Sequence, residues 1–297
     1  MSAVPTYQLS EQQKLSALTL IQLALHEDLQ EAGDITSKTI IPSNYRGQAN
    51  LVARSAGVLA GVQLIQMVSQ AVDPSLQVDL HKDDGTKLQQ GNRIATITGP
   101  LRSLLTAERT ILNFLQRLSG IASITQQYVE LVQDTKCRVL DTRKTIPGWR
   151  LLDKYAVICG GGTNHRMGLY DAVMIKDNHL AGLRQHQTPL AEAIRLANAA
   201  WKGKAKVEVE VETLEQLEEA LSAEPDIILL DNMKTLMLKK AVALRNRMHP
   251  ATLLEASGGI TLLTVASVAA TGVDFVSVGA LTHSAPALDL ALDYADQ

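Results

Sequence analysis

Short, continuous hydrophobic runs recur through the second half of the chain and predict buried β-strands. Each run is followed by a polar or glycine-rich turn and then by a helical pattern. Continuous apolar runs are typical of parallel strands that are covered on both faces. The runs lie at 137–142, 171–176, 206–212, 225–231, 251–257 and 273–279. These units predict an α/β barrel, incomplete if only six strands take part, with an open doubly wound sheet as the alternative.

The first third of the chain mixes helical and strand patterns. Apolar residues spaced three or four apart predict a helix from Lys14 to Leu29 with one apolar stripe, formed by Leu15, Leu18, Ile21, Leu25 and Leu29. Strand patterns follow at 49–54, 57–60, 76–80 and 93–98. Gly99-Pro100 then precedes a long helical pattern from 101 to about 134, in which Gly120 would mark a kink or a domain junction.

Composition and charge narrow the classes of partner. The chain has 297 residues, of which 46% are hydrophobic and 3% aromatic, and its formal net charge is -3. A basic excess and aromatic stacking surfaces are usual in nucleic-acid binders, so we expect no nucleic-acid partner. We also expect no membrane partner, because the longest uncharged run, 256–273, contains many polar and glycine residues. The absence of a visible secretory signal and of a CxxC pair predicts a cytoplasmic protein.

A set of cationic side chains falls between residues 140 and 180, in the region of the first two predicted barrel strands. Its members are Arg143, Lys144, His165, Arg166 and Lys176. The carboxyl ends of barrel strands share one rim, where active sites are built, so the set predicts a polyanionic substrate. The alternative is a solvated face with ordinary ion pairs, because several aspartates lie in the same window.

Two turns of small residues follow the last two predicted strands. They are Ser257-Gly258-Gly259 and Val278-Gly279-Ala280. Backbone N–H groups without bulky side chains can approach a phosphate closely, and barrels often bind phosphate at this position. The pair therefore favours a phosphate site, although ordinary strand-to-helix turns are the alternative for either one alone.

Acidic residues near the ends of two successive strands indicate a magnesium site. Glu210 and Asp231 would suit Mg²⁺, which binds one or two carboxylates together with phosphate oxygens and water. Glu208 and Glu212 share a strand face with Glu210, so the pattern alone leaves the choice among the three open. A partly exposed strand face is the alternative. Neither a zinc-ligand spacing nor a GxSxG turn is present.

The motifs at these positions resemble the quinolinate phosphoribosyltransferase family. TRKT, GGGTNHR and IKDNH follow one another within 141–179. Further similar blocks, in the same order, lie at 27–36, 105–123, 208–217, 227–233, 254–260 and 272–284. One departure is Gln30-Glu31-Ala32, which replaces a more glycine-rich turn. The resemblance covers nearly the whole chain.

The resemblance implies a fold, substrates and residue roles. The fold would be an N-terminal α/β sandwich domain (1–118), an incomplete α/β barrel (119–284) and a C-terminal tail (285–297) that returns to the first domain. Quinolinate and phosphoribosyl pyrophosphate would be the substrates, Mg²⁺ the cofactor, and a homodimer with shared active sites, or a higher oligomer, the assembly.

The implied roles fall into three groups. Arg143, His165, Arg166 and Lys176 would surround the quinolinate carboxylates, with Thr142 and Lys144 lining the same pocket. Glu210 and Asp231 would contact the ribose and Mg²⁺, and both would be catalytic together with Lys144 and Lys176. Residues 257–259 and 278–280 would bind the 5-phosphate, while Arg109 would reach into the site of a partner subunit.

Two other functions remain open on the sequence. Lys176 at a strand end would also suit a Schiff-base aldolase, although arginine and histidine neighbours do not resemble an apolar lysine pocket. A non-catalytic anion-binding relative with the same fold would bind ligand without turnover.

Overall fold

The computed structural model describes residues 7–184 and 188–294, and the chain forms two compact units. Unit 1 comprises Met1–Gln126, Thr145–Gly161 and Leu281–Gln297, and unit 2 comprises Gln127–Lys144 and Gly162–Ala280. The division into 1–118, 119–284 and 285–297 stays a prediction. Residues 1–6 and 295–297 of those segments lie outside the described residues.

The helices within the described residues are α1 (Glu11–Leu29), α2 (Ile35–Ile40), α3 (Val62–Val72), α4 (Leu101–Val132), α5 (Arg150–Cys159), α6 (Asp177–Arg184), α7 (Leu190–Trp201), α8 (Leu214–Leu221), α9 (Thr235–Met248), α10 (Val265–Ala269) and α11 (Ala280–His283). The strands are β1 (Arg46–Ala53), β2 (Gly57–Val58), β3 (Gln77–Leu80), β4 (Lys87–Leu88), β5 (Arg93–Pro100), β6 (Arg138–Leu140), β7 (Ala172–Ile175), β8 (Lys206–Val211), β9 (Ile227–Asp231), β10 (Leu253–Ser257), β11 (Phe275–Ser277) and β12 (Leu290–Tyr294).

Unit 1 is built on an antiparallel sheet with the strand order β12-β1-β5-β3. The chain's last described segment contributes β12, which pairs with β1 from Ala49 opposite Tyr294 to Ala53 opposite Leu290. Alternating burial along β1 and β5 places one face of each strand in the core. The core of the unit also takes in the apolar side chains of α3 and α4.

The long helix α4 continues through Gly120 as one uninterrupted helix from Leu101 to Val132. A Cβ on Gly120 would lie 3.0 Å from the carbonyl carbon of Pro286 and 3.2 Å from the Cα of Ala287. Glycine therefore allows the backbone of residues 286–287 to approach the helix closely.

The apolar stripe of α1 does not form a core face. A capping box formed by Ser10 and Gln13 stabilises the start of helix α1. Ile21 is fully buried, but Leu15 is 67% and Leu18 is 42% exposed. The predicted helix is therefore confirmed, whereas its apolar stripe is only partly buried, so α1 presents apolar surface to solvent.

Unit 2 contains a six-stranded parallel sheet with the order β6-β11-β10-β9-β8-β7. All six predicted runs form its strands, which confirms the α/β class with an incomplete barrel and a separate antiparallel sheet. Val207, Val209, Ile228, Leu254 and Val276 are fully buried on these strands, as expected for strands covered on both faces. No helix within the described residues has the length and apolar character that a membrane crossing requires.

Candidate active site

The carboxyl ends of the six parallel strands bring together the predicted site residues of unit 2. Ser257 at the end of β10 is in register with Asp231 at the end of β9. Ser277 at the end of β11 is in register with Leu140 at the end of β6. Because parallel strands end at one edge, the residues that follow them share that edge. Arg109 instead belongs to unit 1, where it is exposed on α4.

Two guanidinium groups lie close together after β6 and before β7. Burial and the positive charge of Arg143 lower the pKa of Arg166. Arg166 donates a 3.3 Å hydrogen bond to the carbonyl of Ala172, whereas the buried Nε of Arg143 has no acceptor among the described residues. Two neighbouring cations with an unused buried donor form an arrangement that an anion would stabilise.

Thr142 and Lys144 flank Arg143 in the same loop. The backbone N–H of Lys144 donates a 3.0 Å hydrogen bond to Oγ1 of Thr142, which closes a tight turn after β6. Lys144 is exposed and Thr142 is half-buried. The loop therefore presents one exposed ammonium beside the guanidinium pair.

His165 points into a buried acidic cluster. Its Nε2 lies 3.1 Å from Oε2 of Glu208 and 3.4 Å from Oε2 of Glu255, and only 9% of its side chain is exposed. Burial alone would lower the pKa of His165, but the two carboxylates outweigh burial and raise it to about 10. Burial and the charge of Glu255 raise the pKa of Glu208. The backbone N–H of His165 donates a 2.8 Å hydrogen bond to Asp141.

The same three side chains have the residue types of a metal site. Their ligand atoms lie within 4.8 Å of one another. However, the raised pKa keeps the imidazole protonated at neutral pH, and a metal ion would have to displace that proton. The cluster is therefore an ion pair between one imidazolium and two carboxylates.

Lys176 and Glu210 form an ion pair at the ends of β7 and β8. The Lys176 Nζ lies 2.5 Å from Oε2 of Glu210, and both side chains are partly accessible. The Lys176 side chain thus contacts a carboxylate and does not lie in the apolar pocket that an imine-forming lysine requires. Glu208 contacts His165 and Glu212 is exposed beyond the end of β8, so the three glutamates of this strand face have different surroundings.

Asp231 at the end of β9 and Glu210 near the end of β8 are the two carboxylates that the sequence predicts as Mg²⁺ ligands. Asp231 is half-exposed and accepts a 2.7 Å hydrogen bond from the amide of Asn232 through only one carboxylate oxygen. Because Mg²⁺ usually takes one or two carboxylates and completes its shell with phosphates and water, this donor set fits the ion.

The two turns of small residues differ in what their backbones offer. Gly258 and Gly259 have φ angles of 93° and 62°, and both are exposed. A Cβ on Gly259 would meet nothing within 4 Å, so space is open beside it. The N–H of Val278, by contrast, donates to the carbonyl of Leu140 at 2.9 Å and is used by the sheet. In the second turn, α11 begins at Ala280, directly after Gly279.

Sequence reasoning missed two residues of this edge. Glu255 lies within the apolar run of β10, where a single charged residue was the available signal. Asn232 follows Asp231 directly and adopts a positive φ of 53°. Its sequence context held no comparable signal.

Comparisons with known proteins give consistent results along the chain. The family models for the N-terminal and C-terminal domains of quinolinate phosphoribosyl transferase match residues 34–119 and 121–293. Nicotinate-nucleotide pyrophosphorylase [carboxylating] of Mycobacterium leprae is 44% identical over 94% of this chain and 97% of its own length. The mitochondrial quinolinate phosphoribosyltransferase [decarboxylating] 2 of Nicotiana glauca is 40% identical over 98% and 83%, respectively.

Solved structures are similar over the same extent. The structure of the nicotinate-nucleotide pyrophosphorylase from Francisella tularensis has a TM-score of 0.88 and 38% sequence identity, and the match covers 98% of this chain and 100% of that one. NadC from Streptococcus pyogenes has a TM-score of 0.88 and 40% identity over 97% and 99%.

Proposed function

The chain belongs to the quinolinate phosphoribosyltransferase family, and from this premise we propose that it transfers the phosphoribosyl group of phosphoribosyl pyrophosphate to quinolinate. The products are nicotinate mononucleotide, pyrophosphate and CO₂, and the enzyme is a decarboxylating pentosyltransferase of NAD biosynthesis.

The observation that carries the substrate assignment is the Arg143–Arg166 pair. Burial and mutual repulsion make two adjacent guanidiniums unfavourable unless an anion lies between or beside them. Quinolinate carries two adjacent carboxylates, and guanidinium forks bind carboxylates through paired hydrogen bonds. Arg143 and Arg166 bind these carboxylates, His165 supports the floor of the pocket, and Lys176 and Thr142 line it.

The second substrate binds along the ends of β8, β9 and β10. The backbone N–H groups of the turn 257–259, with its exposed glycines, donate hydrogen bonds to the 5-phosphate. Gly279 and Ala280 of the turn 278–280 belong to the same phosphate site. Asp231 and Glu210 bind the ribose hydroxyls. Lys144 contacts the pyrophosphate. Mg²⁺, when bound, is held by these two carboxylates, directly or through water, and it neutralises charge on the leaving pyrophosphate.

The reaction requires positioning rather than a covalent enzyme intermediate. The lone pair of the pyridine nitrogen forms the new bond to the anomeric carbon while the bond to pyrophosphate breaks. Carboxylates of Glu210 and Asp231 stabilise the positive charge that develops on the ribose. The C2–carboxylate bond then breaks, its electron pair stays on C2 beside the cationic nitrogen, and C2 takes up a proton as CO₂ leaves.

We propose that the active enzyme is at least a homodimer. Leu15 and Leu18 expose apolar surface on α1. Arg109 is exposed on α4, and we assign it no substrate contact in its own unit. Large apolar side chains left on a surface are typical of interfaces. Sedimentation should therefore give twice the chain mass or more, and a monomer at micromolar concentration would contradict the dimer.

A cytoplasmic location belongs to the same proposal. Cys137 and Cys159 are both buried and form no disulfide, as suits a reducing compartment.

The test of the function compares two arginines at opposite ends of one strand. Arg143 follows the carboxyl end of β6, whereas Arg138 begins β6 and stacks over Phe275 at the opposite edge. Arg143→Ala should raise KM for quinolinate by about tenfold or more, because a charge-assisted hydrogen bond contributes about 1.5–3 kcal/mol. Arg138→Ala should leave KM for quinolinate within twofold. Equal effects of the two variants, or no nucleotide formed by the wild type, would contradict the proposal.

A further inference from the structure

Asn232 holds an unfavourable backbone conformation at the candidate phosphoribosyl site. It follows β9 directly and has a φ angle of 53°. Left-handed backbone is disfavoured for residues with a side chain, although asparagine tolerates it better than most. In this conformation its N–H donates a 2.8 Å hydrogen bond to the carbonyl of Ser257, which ends β10. The strained residue thus ties the ends of two adjacent strands together.

The side chain of Asn232 makes two further contacts at this edge. Its Nδ2 donates a 2.7 Å hydrogen bond to Oδ2 of Asp231. A Cβ on Gly258 would lie 2.6 Å from Cγ of Asn232 and closer still to its Oδ1. The amide therefore occupies the space that a side chain at 258 would need, and it touches both the carboxylate and the glycine turn.

We propose that Asn232 is a positioning residue that fixes the Asp231 carboxylate relative to the turn 257–259, and so sets the distance between the ribose-binding and phosphate-binding parts of the site. This inference rests on the proposed function, which places those two parts of one substrate on either side of Asn232. The strain at residue 232 persists because two hydrogen bonds hold it, one to the Ser257 carbonyl and one to the Asp231 carboxylate.

The chain offers a matched control for relieving this strain. Glu224, which precedes β9 at its opposite end, has a φ angle of 52°. Its exposed carboxylate lies 3.8 Å from His249. Asn232→Gly and Glu224→Gly each let glycine adopt a left-handed φ without steric strain, so both chains should fold. Only Asn232→Gly removes an amide between Asp231 and the glycine turn.

Steady-state kinetics with both substrates separate positioning from a general structural role. Asn232→Gly should raise KM for phosphoribosyl pyrophosphate by about tenfold, because one hydrogen bond to a charged group is lost, and should leave KM for quinolinate within twofold. Glu224→Gly should change neither constant by more than twofold. An unchanged KM for phosphoribosyl pyrophosphate in Asn232→Gly, or an equal rise for both substrates, would overturn the inference.

A double-mutant cycle with Gly258→Ala provides the second readout. The alanine Cβ collides with the Asn232 amide, so Gly258→Ala alone should weaken binding of phosphoribosyl pyrophosphate, measured by calorimetry, by at least tenfold. Alanine at 258 carries the backbone strain of a φ of 93° in both backgrounds, but it collides with the amide only where Asn232 is present, so the double variant should bind more tightly than the product of the two single effects predicts. Purely additive effects would overturn the inference. A wild type that neither binds phosphoribosyl pyrophosphate nor turns over would instead overturn the proposed function, and this inference with it.

Discussion

Replacing His165 with glutamine should remove the imidazolium that contacts two buried carboxylates, leaving Glu208 with the charge of Arg166. In the wild type, the imidazolium lies 3.1 Å from Glu208 and 3.4 Å from Glu255. The rise in the pKa of His165 from 6.5 to about 10 corresponds to about 5 kcal/mol at about 1.4 kcal/mol per pH unit. This is an upper bound, because glutamine keeps one hydrogen bond and one glutamate of the variant can take up a proton. We expect a loss of about 2–4 kcal/mol in the free energy of unfolding at pH 7.5.

The pH dependence gives the sign of the effect. A raised histidine pKa contributes stability that is fully present below about pH 6.5 and is lost as the pH rises through about 10. The difference between wild type and His165→Gln should therefore shrink toward pH 10. It should also shrink in mild acid, since the pKa of Glu208 is raised and a carboxylate of the variant becomes protonated.

Urea unfolding of both chains at pH 5.5, 7.5 and 9.5 measures these differences. His249→Gln is the matched control, because the carboxylate of Glu224, which lies 3.8 Å from His249, is largely exposed, and we expect the variant to lose less than about 1 kcal/mol. A loss below about 1 kcal/mol for His165→Gln at pH 7.5, or a loss independent of pH, would refute the reasoning.

Three further predictions follow from other parts of the molecule. Burial raises the pKa of Asp84 to about 6, so the contribution of its protonated form to stability should be lost as the pH rises from about 4 through 6, by up to about 3 kcal/mol. Asp84→Asn should flatten this pH dependence of the free energy of unfolding in urea, and an unchanged dependence would contradict the prediction. Chelation with EDTA should abolish nucleotide formation and Mg²⁺ should restore it, while Asp231→Asn should lower kcat more than it weakens quinolinate binding; a fully active Asp231→Asn chain would exclude the role given to this carboxylate. Arg109→Ala and Lys144→Ala chains should each be nearly inactive. If Arg109 acts in a partner's site, co-refolding the two chains should restore activity, because one of the two sites in a mixed dimer then carries neither change. Verified mixed dimers without activity would mean that Arg109 serves its own chain.

The continuous apolar runs of the sequence predicted the fold because they reflect burial. The six continuous apolar runs of the second half all became strands of the parallel sheet, since only strands covered on both faces require apolar residues at successive positions. The site residues at the strand ends were found for the same reason, because the end of each run locates the edge. Short elements such as α2 and β4 span too few residues for a periodicity to appear.

The errors arise where an apolar pattern does not say what it packs against. The stripe of α1 has correct helical spacing, but Leu15 and Leu18 remain exposed, and spacing alone cannot separate a core face from a surface face. Gly120 predicted either a kink or a domain junction, and the local sequence could not show that the close approach of Pro286, 166 positions later in the chain, also requires glycine there. Glu255 and Asn232 act through neighbours that are distant in sequence, so local patterns carried little information about them.

The most direct test of the proposed function is a turnover measurement with quinolinate labelled with ¹⁴C in its 2-carboxylate. With phosphoribosyl pyrophosphate and Mg²⁺, labelled CO₂ and unlabelled nicotinate mononucleotide should appear in equal amounts. Nicotinate in place of quinolinate should give little product, because it lacks the 2-carboxylate and would leave part of the Arg143–Arg166 pair without an anion, at about 1–3 kcal/mol or more for each unpaired group. Nicotinate turnover comparable to that of quinolinate, or nucleotide that retains the label, would contradict the proposed substrate and reaction.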